Sequence, residues 1–335
     1  MRKWILLSLC FLSCFLSTLQ ATQYFFRDFH AENLEYAIHL KRKLKKEIQV
    51  CAQLNTLPHY TPTGERKADS CSAAFKRSAT ISYDLALGFL TSQKLEYAQR
   101  AKEILEKWAQ TLKGVDSKEA ENLINFYMPY MNMAYSLIRS KFASPLFERF
   151  SSNMFTYARL NKDNNIGAWA ILLGVSTALV TRDHDLLLRM ADKWQKWILN
   201  AIDRKGVMAK EIVRTNTANY NSGPNKGIKG IAYTHFALEP ISVAGQLLCE
   251  NGFDLWHSRA AQRLFIAYNK TAEWVLNPTT FPYYQPNLIG INHDAYFLLL
   301  NQYFTSLAGQ QAIKQDHFKG DKFRLEFNDD LRIRE

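Results

Sequence analysis

The sequence predicts an all-α protein built from antiparallel helical hairpins. Apolar residues recur at three- and four-residue spacing along almost the whole chain, the stripes they form are separated by short polar connections, and no run of alternating residues is long enough to argue for a sheet domain. The clearest stripe runs from Lys94 to Leu112, where Tyr97, Ala98, Ala101, Ile104, Leu105, Trp108, Ala109 and Leu112 share one face. Comparable stripes occur at about 31–52, 78–92, 118–139, 143–159, 166–181, 184–200, 235–250, 256–276 and 293–308.

Connections such as Thr91-Ser92-Gln93-Lys94 and Thr181-Arg182-Asp183 are too short for anything but a hairpin. Two stretches are longer and irregular. Leu57 to Ser70 holds two prolines, a glycine and the pair Arg66-Lys67; Thr215 to Gly230 is rich in Asn and Gly and carries Lys226 and Lys229. Loops of this length are commonly functional lids or mobile segments, and their shared basic character suits a cover over a polyanion. Plain surface loops are the alternative. Nothing marks an interdomain linker, so residues 22–335 read as one domain.

The first 21 residues read as a cleaved secretory signal peptide: Met1-Arg2-Lys3 is a positive start, Trp4 to Leu19 is apolar but too short for a stable span, and Ala21 precedes a polar Thr22. Cys14 as a lipid-anchor site fits its surroundings poorly. The expected location is therefore periplasmic or secreted, with no stable membrane insertion. Three cysteines remain in the mature chain, Cys51, Cys71 and Cys249. An oxidising compartment permits a bridge between Cys51 and Cys71, and buried thiols are the alternative.

The formal charge is +11; without Arg2 and Lys3 it is +9, from 40 basic against 31 acidic residues. Such a field attracts polyanions. No nucleic-acid module is recognisable, so an acidic polysaccharide is the expected partner, with a basic surface lacking a specific partner as the alternative. No Cys-x-x-Cys or His-Glu-x-x-His spacing suggests a metal, and neither metal nor cofactor is expected. The protein is read as a monomer.

Two polar-aromatic clusters open apolar helical runs: Asn164-Asn165-Ile166-Gly167-Ala168-Trp169 and Tyr233-Thr234-His235-Phe236-Ala237-Leu238. They suit β-elimination on a uronate polymer. That reaction needs a group to neutralise the sugar carboxylate, a base for the C5 proton and an acid for the departing oxygen at C4. Tyrosine can serve as both base and acid when proton and leaving group share one side of the ring. Tyr233 is thus the candidate base and acid; the alternative is an aromatic packing at a helix entry. Asn164 and Asn165 are candidate amides for the carboxylate, or helix caps. Trp169, about one turn after Asn165, is a candidate stacking platform or a core residue. Arg214 could hold a carboxylate bidentately or be a solvated surface residue. His235 is a weaker candidate for the substrate site, joined by the loop cations Arg66, Lys67, Lys226 and Lys229.

These residues also carry a family resemblance. Arg77 through Leu105 looks like an early hairpin of the alginate lyase (mannuronate lyase) family. Asn164-Asn165 with Trp169 resembles that family's Asn-Asn-His-x-x-Trp motif, and Lys210-Glu211-Ile212-Val213-Arg214 is similar to the segment bearing a substrate-binding arginine. The cluster beginning at Tyr233 resembles its Tyr-His-Asn-Tyr-Ala-Leu, whose first tyrosine is catalytic. Phe323-Arg324-Leu325 resembles a closing Phe-Arg-Leu-Gly-Gly segment. The resemblance implies an (α/α) toroid and metal-independent lyase action on mannuronate-type polymers. Three departures stand out: Ile166 occupies the family's histidine position, about a dozen extra residues separate Arg214 from Tyr233, and Phe236 lacks the hydroxyl of the second aromatic.

The leading expectation is a polysaccharide lyase acting on an acidic, uronate-containing polymer. A non-catalytic polysaccharide-binding or export-assisting protein on the same fold is the second. A glycoside hydrolase, with Asp294 and Glu211 as candidate carboxylates, is the third, although nothing in the sequence pairs those two.

Overall fold

The computed structural model describes residues 41–55, 59–60, 66–67, 69–215, 221–291 and 296–315. Within them the protein is all-α: twelve α-helices and only two-residue strands. The helices are α1 (Lys41–Gln49), α2 (Ser70–Ser92), α3 (Leu95–Thr111), α4 (Lys118–Ile138), α5 (Pro145–Phe155), α6 (Asn165–Thr181), α7 (His184–Ala201), α8 (Ala209–Ile212), α9 (Gly230–Glu250), α10 (Arg259–Leu276), α11 (Tyr296–Tyr303) and α12 (Leu307–Lys314). Strands β1 (Gln53–Leu54) and β4 (Gly114–Val115) pair in parallel, and β2 (His59–Tyr60) with β3 (Arg66–Lys67) antiparallel.

The helices alternate between two layers. α4 packs on both α2 and α6, α6 on α9, and α9 on α11. Outside this series, α3, α5, α7, α10 and α12 cover it. The sequence explains the division. α6 is buried on every side from Gly167 to Val180, whereas α3 buries only the stripe Tyr97, Ala98, Ala101, Leu105 and Trp108. A helix apolar all round belongs inside and one with a single apolar stripe belongs outside. One contiguous apolar core runs from Leu44 in α1 to Ala312 in α12.

Helix starts follow local capping. The side chains of Asp69, Ser117, Ser144, Asp183, Ser258 and Ser306 each accept a backbone N–H from the first turn of the helix they precede. Four starts, those of α3, α6, α8 and α9, have no such side-chain cap, and the last three are the elements that carry the candidate site.

Several expected boundaries move. α2 begins at Ser70, eight residues before its stripe, because the Asp69 carboxylate takes the N–H groups of Cys71 and Ser72. α9 begins at Gly230, so Tyr233 lies in its first turn instead of preceding it. The 293–308 stripe is broken where Ser306 caps a new helix, α12. The stretch expected to be irregular from Leu57 to Ser70 contains the β2–β3 pair. A disulfide joins Cys51 to Cys71, tying the end of α1 to the start of α2; Cys249 is in no disulfide. No described helix is long and apolar enough to cross a membrane.

Candidate active site

The site is organised by a cross-chain cap. Asn164 occupies the N-cap position of α6, yet its side chain makes no capping bond and its Oδ1 is buried without a hydrogen-bond partner. Glu211, from the single turn of α8, supplies what is missing. Its Oε1 accepts the Asn165 backbone N–H at 2.6 Å, and the Asn165 amide nitrogen lies 3.0 Å from Oε1 and 3.1 Å from Oε2. A carboxylate here also meets the positive end of the α6 dipole. Glu211 is 1% exposed. Burial pushes its carboxyl above the usual carboxylate range, while the Asn165 bonds and the nearby Arg214 charge pull it back and Asp163 adds to the rise.

Arg214 follows Glu211 by one turn, its backbone N–H bonded to the Glu211 carbonyl at 3.0 Å. Its guanidinium lies over the Tyr233 ring, 4.4 Å from the centroid. The backbone closes the arrangement: Lys229 N–H donates to the Arg214 carbonyl at 3.1 Å, and Tyr233 N–H to the Lys229 carbonyl at 2.9 Å. Thus the N-termini of α6 and α9 and the turn of α8 bring Asn164, Asn165, Glu211, Arg214, Lys229 and Tyr233 together.

Two glycines make the approach possible. A Cβ on Gly167 would sit 1.8 Å from the Lys162 carbonyl oxygen, and one on Gly230 would sit 2.3 Å from that of Ile212. Either clash would push a site-bearing helix away from its neighbour.

Three expected roles need correction. Trp169 is 2% exposed; its Nε1 donates to the Phe236 carbonyl at 2.9 Å, and its ring packs among Phe126, Tyr130 and Phe236. Neither face is open to a sugar. His235, 1% exposed, sits between the Ile291 carbonyl (2.8 Å) and the Tyr296 hydroxyl (3.0 Å). A carbonyl only accepts, so Nε2 carries the proton and Nδ1 accepts from the tyrosine. That is a structural histidine, not a substrate contact. Asn165, 4% exposed, commits its amide nitrogen to Glu211 and does not reach a substrate directly.

The loop cations separate. Lys226 lies over the Tyr283 ring at 4.7 Å, and Gln285 clamps the loop by donating to the Pro224 and Lys226 carbonyls. The described part of Thr215–Gly230 is therefore anchored to the 281–289 segment and is not a free lid. Arg66 and Lys67 pair in β3 with Tyr60 and His59; their side chains lie outside the described residues, as do Asp294 and Phe323-Arg324-Leu325. Glu211, weighed above as a hydrolase carboxylate, is spent on Asn165. Tyr127, half-buried on α4, has the Lys76 ammonium 5.4 Å from its ring centre.

The profile of the alginate lyase family matches residues 30–281, about three quarters of the chain. The chain belongs to the alginate lyase family. Comparison with curated proteins gave no match. The alginate lyase match spans α1 through α10 and therefore every residue of the cluster around Tyr233. Activity on polysaccharide by elimination is the chemistry this membership supports.

Proposed function

We propose that the protein is an exported lyase that cleaves a uronate-containing polysaccharide by β-elimination. The observation that carries this reading is the Arg214 guanidinium held against the Tyr233 ring, in a chain of the alginate lyase family. In the first half-reaction the Tyr233 oxygen, acting as phenolate, removes the C5 proton while Arg214 and the Asn164 amide face the sugar carboxylate as it takes on negative charge. The electron pair then forms the C4=C5 double bond and the C4–oxygen bond breaks. The departing oxygen takes the proton from Tyr233, which restores the tyrosine for the next cycle. With Ile166 in the histidine position, one residue performs both transfers. Asn165 acts behind this pair, through Glu211. Lys229, Lys226 and the β3 pair Arg66-Lys67 supply the cationic surroundings of a polyanion, and the two-layer arc of helices is read as part of an (α/α) toroid.

Export is supported by the apolar start of the chain and by the Cys51–Cys71 bridge, which suits an oxidising compartment. The test is incubation of the mature protein with polymannuronate, polyguluronate, polyglucuronate and other acidic glycans while following absorbance near 235 nm, where the C4=C5 product absorbs by virtue of its conjugation to the carboxylate. Binding to one of them without any such product would instead favour a non-catalytic polysaccharide-binding role.

A further inference from the structure

We infer that Glu211 is the positioning residue of this site: it holds the α6 N-terminus and Arg214 in one frame beside Tyr233, and it takes up a proton when a sugar carboxylate arrives at Arg214. The inference rests on the lyase reading for the identity of the arriving anion.

The geometry starts from what surrounds the Glu211 carboxyl. From α6 it receives only donors, the backbone N–H and side-chain amide of Asn165, and both of its oxygens accept. Two Asn165 donors suit the anion, which is the resting group above the raised titration of this carboxyl; on protonation the Asn165 amide can turn its Oδ1 to accept the new O–H. The charges acting on it are Arg214 from its own segment and Asp163 from the turn before α6. Lys210, its chain neighbour, is paired with Asp163, and from α9 the facing group is Tyr233 beneath the guanidinium. Arg214 is thus the cation that compensates a carboxylate shut away from water.

A uronate entering the cleft brings a second carboxylate to the same guanidinium. The two anions do not share it equally. The substrate's carboxylate keeps contact with solvent at a half-buried tyrosine and arginine, whereas Glu211 at 1% exposure has no water to turn to. The charge that is given up is therefore the buried one. Protonation at Glu211 removes the negative charge that the nearby Arg214 offsets and keeps the net charge of the site unchanged. Because binding and protonation are reciprocally linked, ligand binding should draw a proton from solution, and affinity should fall as pH rises. In the limit of one proton per site the fall is about tenfold per pH unit.

The test is isothermal titration calorimetry of the full mature protein in buffers of differing ionisation enthalpy, at a series of pH values from the ordinary carboxylate range upward. Short oligomers of mannuronate, guluronate and glucuronate are the probes. The expected result is proton uptake by wild type, loss of that uptake in Glu211→Gln, and its retention with weaker binding in Glu211→Asp. If Glu211→Gln does not fold, the wild-type titration alone decides. Binding by wild type without proton uptake, or uptake that persists in Glu211→Gln, overturns the inference; a structural tether would produce either. Uptake without the product absorbing near 235 nm overturns the lyase reading and sustains the role of Glu211, whereas product formed without uptake does the reverse. Failure of every oligouronate to bind overturns both.

Discussion

Arg214 covers the face of the Tyr233 ring at 4.4 Å from its centroid, and Lys229 relays the contact through the backbone by joining the Arg214 carbonyl to the Tyr233 N–H. The extra residues between Arg214 and Tyr233 do not separate them in space. The described part of that stretch, residues 221–230, packs against Tyr283 and Gln285, and Tyr233 lies in the first turn of α9 beneath the arginine.

Because the contact is made to the ring face, Tyr233→Phe keeps it and removes only the hydroxyl. Stability should change by less than about 0.5 kcal/mol, as for other changes that disturb no packing. The rate should fall by a factor of about 10² to 10⁴ or more, since one group fills two proton-transfer roles. Thermal melts and the 235 nm rate, measured on the same preparation, separate the two effects. Full activity in this variant would place the chemistry elsewhere.

The raised Glu211 carboxyl makes stability depend on pH in a predictable direction. Between the ordinary carboxylate range and its higher folded-state value, the folded protein holds a proton that the unfolded chain lacks. Stability contributed by this group is therefore greatest at the acidic end of that window and is lost as pH rises through it. Glu211→Gln should be less stable by about 1–3 kcal/mol, because a side-chain amide cannot accept all the Asn165 donors, and should lack this part of the pH slope. Denaturant unfolding across the window, wild type against variant, measures both quantities. A slope that survives the substitution would assign it to other groups.

The Cys51–Cys71 bridge encloses the β2–β3 pair, with a sequence separation of 20. Replacing both cysteines by serine should cost about 3 kcal/mol, the loop-entropy expectation for a closure of this size. The site around Tyr233 is built by α6, α8 and α9, so in conditions where the variant stays folded its rate constant at saturating polymer should be retained. Any loss should appear in KM, through the basic pair Arg66-Lys67. Unfolding in denaturant with and without reductant checks the first statement, and steady-state kinetics the second. A collapse of the rate constant itself would tie the bridge to the chemistry.

Much of the fold was legible because burial writes itself into helical periodicity. The stripe in α3 needs no tertiary information to be seen, and α6, apolar on all sides, announces an inner helix. Starts were less legible, since α2 and α9 begin in polar stretches whose caps or anchors matter more than their hydropathy. In the site, Tyr233, Arg214 and Asn164 could be singled out by residue type. Trp169 and His235 could not be sorted from the core, because an aromatic one turn from a polar residue looks the same whether it faces a cleft or a neighbouring helix. Glu211 was visible only as a lone carboxylate, since its partner Asn165 lies 46 residues away in sequence.

The aromatic residues should divide accordingly. Trp169→Ala removes a buried ring and its hydrogen bond, with an expected cost of about 3–5 kcal/mol, and should disrupt the site only by loosening α6 against α9. Tyr127→Ala removes a half-buried ring with Lys76 above it and should cost less stability than the loss of Trp169. Comparing melting temperature with KM for the two variants tests the assignment. A Trp169 variant of native stability with selectively raised KM would restore that residue as a sugar platform.

Ile166 offers the last test, because it stands at the family's histidine position in the first turn of α6, next to Asn165 and half-buried. An isoleucine there neither carries charge nor moves a proton, so the remaining chemistry falls to Tyr233 and Arg214. Ile166→His restores an imidazole of ordinary pKa about 6.5 beside the cleft. Since the position is half-buried, the substitution should cost no more than about 1 kcal/mol. If the cleft keeps the family's geometry, the added group shares the neutralisation of the sugar carboxylate, and the rate on mannuronate polymers should rise. The gain should be greatest at acidic pH, where the imidazole is cationic, and should fade as it deprotonates. Rates near 235 nm on polymannuronate as a function of pH, for wild type and variant, read this directly. An unchanged or lower rate in a variant that melts like wild type would mean that the cleft has been rebuilt around Ile166 for a different acidic glycan.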